Sequence, residues 1–310
     1  MKTRFFSLYL LVFGLLVAGC MREEDGGRND GRIHLFAERM DRGAKVLVDP
    51  TSYNNASWVA GEKINLNGTP CTIACSDGQY YLEDVEPMSV DGYAIYPATL
   101  NENGNDIAVT NNGPLGCAID IHTLAVNLHP DGKHDVIFPM ASHLEANGTS
   151  MLFKHLTGGL RMTIIDSLTS DAPFSFAKMV IYASNSNYGP AIYKDVVPEW
   201  ADVTLPGLPS GDVGRLGLNY NAQFVGEMTL MVNTVDNTGN VTPGCTLNYG
   251  ESVSFCFPML AKDLLTLYIV FKDENDMQVF EVYKSFGNAA DAIDVERNHM
   301  YNTPDIVVKY

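Results

Sequence analysis

From Ile33 onward the chain is a succession of short runs rich in β-branched and aromatic residues, each closed by Gly, Pro, Asn or Asp. That punctuation limits the fold more than any other feature. A helix needs about ten residues of unbroken 3.6-residue periodicity, whereas a strand needs only a few that alternate. Ile33-His34-Leu35-Phe36, Lys63–Leu66, Gln79–Leu82 and Tyr93–Tyr96 are such runs, and Ile119–Leu128 and Asp135–Phe138 continue the series. Two more lie between residues 151 and 165, the second placing Leu160, Met162 and Ile164 on one face. Leu264–Lys272 and Met277–Lys284 flank Asp273-Glu274-Asn275-Asp276 and predict a hairpin. Its first arm alternates Leu265, Leu267, Ile269 and Phe271, its second Val279, Glu281 and Tyr283. No window sustains helical periodicity beyond a turn or two. The expectation is an all-β protein of two β-sandwich domains, 33–145 and 146–310, divided within the polar segment Ala141–Ser150.

The first twenty residues are of another kind. Lys2 and Arg4 precede an apolar run, Phe5–Val17, that is too short to span a bilayer comfortably, so residues 1–20 read as a signal peptide. The run ends in Val17-Ala18-Gly19-Cys20, which resembles a bacterial lipobox. In that resemblance Cys20 is acylated, becomes the new N-terminus and ties the protein to the outer membrane. Met21-Arg22-Glu23-Glu24-Asp25 opens an acidic tether, 21–32, and is similar to the surface-export signal of Bacteroidota lipoproteins.

Charge narrows the partners. The net charge is −17, and loss of Lys2 and Arg4 with the leader makes it two units more negative. No basic run offsets this, so the surface repels phosphate backbones, and nucleic acid is excluded as a partner. Five cysteines follow Cys20: Cys71, Cys75, Cys117, Cys245 and Cys256. Their odd number leaves at least one unpaired. Cys71 and Cys75 would stand roughly 13 Å apart in one strand, too far for a bridge. Buried thiols are expected, with no metal and no cofactor.

The sequence holds no Gly-x-Ser-x-Gly, no His-Glu-x-x-His and no phosphate-binding loop, and His129, His134, His143 and His155 lack the spacing that joins two ligands on one element. A non-enzymatic protein is expected. Trp200, Tyr188 and Tyr193 are candidates for a sugar-binding face, with burial in the core as the other reading. Asp166-Ser167-Leu168 matches the short O-glycosylation pattern of Bacteroidota.

Five stretches, in order, carry a resemblance. Ile33-His34-Leu35-Phe36-Ala37 is followed by an arginine-bearing segment and Trp58-Val59-Ala60-Gly61-Glu62-Lys63-Ile64, then by Gly92-Tyr93-Ala94-Ile95-Tyr96-Pro97. Phe153-Lys154-His155-Leu156-Thr157-Gly158-Gly159-Leu160 comes next, and Met300-Tyr301-Asn302-Thr303-Pro304-Asp305-Ile306-Val307-Val308 closes the chain. Together they resemble the fimbrillin family of Bacteroidales, with Glu62 where the family has an aspartate. The resemblance implies two transthyretin-like sandwich domains and a precursor of a surface pilus (fimbrium) subunit. It implies that an arginine-specific protease cuts after Arg42, or after Arg39, in a polar loop. The first strand, with Ile33, Leu35 and Phe36, then leaves, and a strand from another fimbrial subunit fills the groove. A donor burying about five apolar side chains at ~2 kcal/mol each would contribute roughly 10 kcal/mol before entropy costs. Ile306, Val307, Val308 and Tyr310 are either that donor or the ordinary last strand of the second domain. Adhesion to a host or bacterial surface ligand is compatible with this role. The other function expected is a non-polymerising surface lipoprotein that binds glycan or another ligand.

Overall fold

Asn67-Gly68 and Asp77-Gly78 both adopt positive φ at each residue, the geometry that closes a two-residue hairpin, and they set the register of the first strands. The computed structural model describes residues 30–37, 41–42, 58, 60–98, 119–132, 134–168, 172–193, 195–196, 198–201, 215–218, 224–296 and 299–309. Among the described residues the helical element is a single 3-10 turn, Ala289–Asp291; the rest is strand, turn and coil. In chain order the principal strands begin with β1 (His34–Ala37), β2 (Asp41–Arg42), β3 (Lys63–Leu66), β4 (Thr69–Ser76), β5 (Gln79–Leu82) and β6 (Gly92–Tyr96). β7 (Thr123–Leu128), β8 (His134–Val136), β9 (Met140–Leu144) and β10 (Ser150–His155) follow. Then come β11 (Gly158–Asp166), β12 (Lys178–Asn185), β13 (Glu227–Val235), β14 (Ser252–Met259), β15 (Ala261–Lys272), β16 (Gln278–Ser285), β17 (His299–Asn302) and β18 (Ile306–Val308).

The chain is all-β, as its punctuation predicts. β1, β10, β9, β6, β3, β4 and β5 close, in that order, into a seven-stranded barrel. Its core holds Ile33, Leu35, Trp58, Ile64, Ile73, Leu82 and Phe153. A second core forms between a large sheet ordered β16-β15-β12-β13-β7-β8 and a smaller one ordered β2-β17-β11-β14, where β18 continues the line of β17 along β11. Leu160, Met162 and Ile164 face inward from β11, and Leu267, Ile269 and Phe271 from β15, all fully buried.

Two differences from the sequence expectation have physical causes. The first core is a closed barrel where a sandwich was expected, because β1 pairs with both β5 and β10 and shuts the sheet. The division at residues 145 and 146 also runs through this arrangement. Met140–Leu144 is barrel strand β9, with Ser142 and Leu144 buried. Met151 and Phe153 lie in the first core, while Leu124, Val126 and Leu128 of β7 lie in the second. β7 reaches the second core by parallel pairing with β13, from Thr123 opposite Thr229 to Leu128 opposite Thr234. A partner about a hundred residues away leaves no local trace in the sequence.

The Gly158-Gly159 pair has a packing reason. A Cβ on Gly158 would stand 2.1 Å from the carbonyl oxygen of Glu296, and one on Gly159 would stand 2.8 Å from the end of Met300. Only glycine lets β11 pass so close to the entry into β17.

Candidate functional site: the first strand and its groove

β1 is held in an unusual way. Within the barrel its contact with β10 is the single parallel pairing; the other neighbour pairs are antiparallel. The register runs His34 to Ser150, Leu35 to Met151, Phe36 to Leu152 and Ala37 to Phe153. On its other edge β1 meets β5 only at His34 opposite Tyr81, with the Leu82 N–H donating to the Ile33 carbonyl at 3.0 Å. The Arg32 guanidinium stacks 4.2 Å over the Tyr81 ring and clasps the entry to the strand. No hairpin ties β1 to either neighbour, so it lies in the barrel as a separately inserted strand.

Period-2 alternation decides what β1 buries. Ile33 and Leu35 point into the core at 0% and 4% exposure, whereas Phe36 faces out at 43%, beside Leu152 at 49%. Two buried side chains contribute about 3–6 kcal/mol, less than the five-residue donor expected from the resemblance. Phe36 forms part of the outer surface of the strand and does not fill the groove.

The floor of the groove is aromatic. Trp58 meets Tyr96 edge-on at 5.2 Å and Phe153 at 4.9 Å. The Tyr96 hydroxyl donates to Glu62 Oε2 at 2.7 Å, which joins the Trp–Gly–Glu stretch to the Tyr–Pro strand end. Burial, and then the charge and hydrogen bond of Glu62, push the Tyr96 phenol far above its ordinary value, so it remains a donor. Two stretches recognised separately in the sequence are thus one cluster under β1.

Cys20, Arg39 and Tyr310 lie outside the described residues. Arg42 is not in a loop: Asp41 and Arg42 pair in parallel with His299 and Met300, at the edge of the smaller sheet. Ile306, Val307 and Val308 pair with Ile164, Ile165 and Asp166, and both Ile306 and Val308 are fully buried in the second core. Burial holds Cys71, Cys245 and Cys256, and it pushes Cys245 up to about 11 and Cys256 up to about 12. Cys75, by contrast, is exposed, because it sits at the open end of β4 next to the Asp77-Gly78 turn. Tyr188 is 87% exposed at a positive-φ turn, and the side chains of Tyr193 and Trp200 lie outside the described residues. Within Asp166-Ser167-Leu168, Asp166 and Leu168 are buried and the Leu168 N–H donates to Asp166 Oδ1 at 2.8 Å. Among the described residues no group of three His, Cys, Asp or Glu side chains could hold a metal ion.

No family model and no curated protein matches the chain. Among solved structures it is similar to a "putative cell adhesion protein" of Bacteroides ovatus, at 11% identity over 89% of this chain and 91% of that one, with a TM-score of 0.42. A protein of the same description from Bacteroides fragilis shares 11% identity over 90% and 94% of the two chains, with a TM-score of 0.38. A fimbrial protein of Bacteroides vulgatus shares 12% identity over 90% and 95%, with a TM-score of 0.32.

Proposed function

We propose that the chain is a structural or accessory subunit of a cell-surface pilus, tethered to the outer membrane through acylated Cys20 and assembled by protease-triggered strand exchange. In this proposal the two cores correspond to the two transthyretin-like domains of the fimbrillin family, and β1 closes the first into a barrel. The observation that carries the proposal is the state of β1: a parallel insert without a hairpin, two buried side chains deep, followed directly by Arg39 and Arg42. Its removal would open a groove flanked by β5 and β10 and floored by Trp58 and Phe153, into which a strand from another subunit could add. No catalytic role is proposed.

The buried state of Ile306 and Val308 favours a second role, a tethered surface protein that binds glycan or another ligand without polymerising. The N-terminus and intact mass of material sheared from the cell surface separate the two. A start at Gly43 or Met40, without lipid, is expected for the pilus subunit. A start at acylated Cys20, confined to the membrane fraction, would overturn polymerisation.

A further inference from the structure

Three tyrosines on three adjacent strands fall in one register row. Tyr182 of β12 is opposite Tyr268 of β15, which is opposite Tyr283 of β16. All three lie on the face of the large sheet away from the second core. Tyr182 is 39% and Tyr283 61% exposed. The Tyr182 and Tyr268 rings stand 5.8 Å apart and 30° from coplanar. Their hydroxyls are tied down: Tyr268 donates to Glu281 Oε2, which also accepts from Gln278 Nε2 at 2.8 Å, and Tyr182 donates to Glu227. The Tyr182 and Tyr268 rings are therefore held in orientation before anything binds. A row of hydroxyls, Ser184, Thr266 and Ser285, borders the tyrosines in the next register step.

We propose that the Tyr182–Tyr268–Tyr283 row is a stacking platform for a neutral polysaccharide, held by its rings, since the neighbouring hydroxyls are engaged within the protein: Ser184 with Thr266, and Ser285 with the Gly287 backbone. The electropositive C–H face of a pyranose complements the negative face of an aromatic ring. Two inter-strand steps span about 10 Å, the length of roughly two sugar units. Charge sets the class of sugar, because Glu227, Glu281 and a net charge of −17 repel uronic and sialic acids. Area argues against a protein partner. Three rings at about 200 Å² each fall short of the roughly 800 Å² per side of a standard protein interface.

The platform supplies a ligand chemistry for the second role proposed above, a surface protein that binds glycan, and rests on that role alone. Strand exchange does not enter, so the sugar measurement can fail without touching the N-terminus measurement. The test is affinity electrophoresis of the mature chain in native gels containing mannan, xyloglucan or galactomannan. Polygalacturonate serves as the anionic control, and hexa-arginine is titrated separately. Retardation by at least one neutral polysaccharide is expected, persisting in about 0.5 M salt, where exposed charges are screened within a few ångström. Tyr182→Ala with Tyr283→Ala should weaken it by tenfold or more, and the double Phe variant, which keeps both rings, should retain it. No retardation by any neutral polysaccharide, or retardation undiminished by the Ala pair, would overturn the proposal. So would salt-sensitive binding of hexa-arginine alone, which would assign the face to a cationic partner.

Discussion

Replacing Leu35 by alanine should release β1 without unfolding the rest of the chain. Leu35 is 4% exposed and packs in the first core, so its truncation costs about 3 kcal/mol in lost transfer energy and residual cavity. β1 is zipped along one edge to β10 and touches β5 at a single register pair, so this loss falls on the local opening of one strand. Three kcal/mol corresponds to roughly a hundredfold rise in the open population. When opening is fast relative to cleavage, proteolysis follows that population. An arginine-specific protease at low ratio should therefore cut Leu35→Ala about a hundredfold faster than the parent, giving products that begin at Met40 or Gly43. Phe36→Ala is the control. Its ring is 43% exposed on the outer face, so its cleavage rate should stay within a few-fold of the parent. Time courses read by intact mass decide the matter. Equal rates for all three chains, or a faster rate for Phe36→Ala, would refute the alternation on which the account of β1 rests. Cuts scattered through the chain would show that Leu35 supports the whole fold and not one strand.

Three further outcomes follow from the packing. Gly158→Ala should cost several kcal/mol, because its Cβ would lie 2.1 Å from a backbone carbonyl that cannot swing away, and thermal unfolding should show it. His134 accepts a hydrogen bond from the Cys256 N–H at 2.8 Å, and burial lowers it below the ordinary 6.5, so the unfolded chain takes up the proton first. Its contribution to stability is whole above about pH 6.5 and is lost as the pH falls from there towards the folded-state value; His134→Gln should flatten the melting temperature between pH 7.5 and 5. Iodoacetamide at pH 8 should label Cys75 in the native chain while Cys71, Cys245 and Cys256 stay unlabelled until denaturant is added, as peptide mapping would read out.

What the sequence made legible was local. Alternation placed Leu160, Met162 and Ile164, and Leu267, Ile269 and Phe271, on core-facing sides, because side-chain direction in a strand depends only on parity; at Leu265 a register shift brings Leu264 into the core instead. On the second arm of that hairpin a bulge between Phe271 and Lys272 shifts the register. Phe280 and Val282 consequently pack against the core while Glu281 and Tyr283 face out. What stayed hidden was pairing across distance. The parallel partners of β1 and β7, the parallel edge contact of Arg42, and the row Tyr182–Tyr268–Tyr283 all depend on which strands are neighbours, and no residue spacing within one strand records that. The Trp58 and Tyr96 stretches were visible as separate motifs, but only the fold joins them through Glu62.

β1 and β18 differ in a way that bears on the proposed assembly. Both lie parallel to consecutive strands, β1 along β10 and β18 along β11. β1 buries Ile33 and Leu35, meets β5 at a single register pair and precedes two arginines, so in the proposed processing one cut would free it. β18 has no such exit. Ile306 and Val308 are fully buried, the Ser167 N–H donates to the Val308 carbonyl at 3.0 Å, and Thr303 is pinned to the Arg161 carbonyl at 2.9 Å. To donate, β18 would have to vacate its own core and find equal burial in a neighbour, which at best exchanges like for like before the entropy of association is counted. In the proposed assembly, a subunit that accepts a strand readily and donates its own at a loss would sit at one end of the polymer and not within its shaft. Val308→Ala sharpens the point. If β18 is a donor, the change should weaken assembly while sparing the isolated chain; if β18 is a last strand, it should lower the melting temperature of the isolated chain by several degrees.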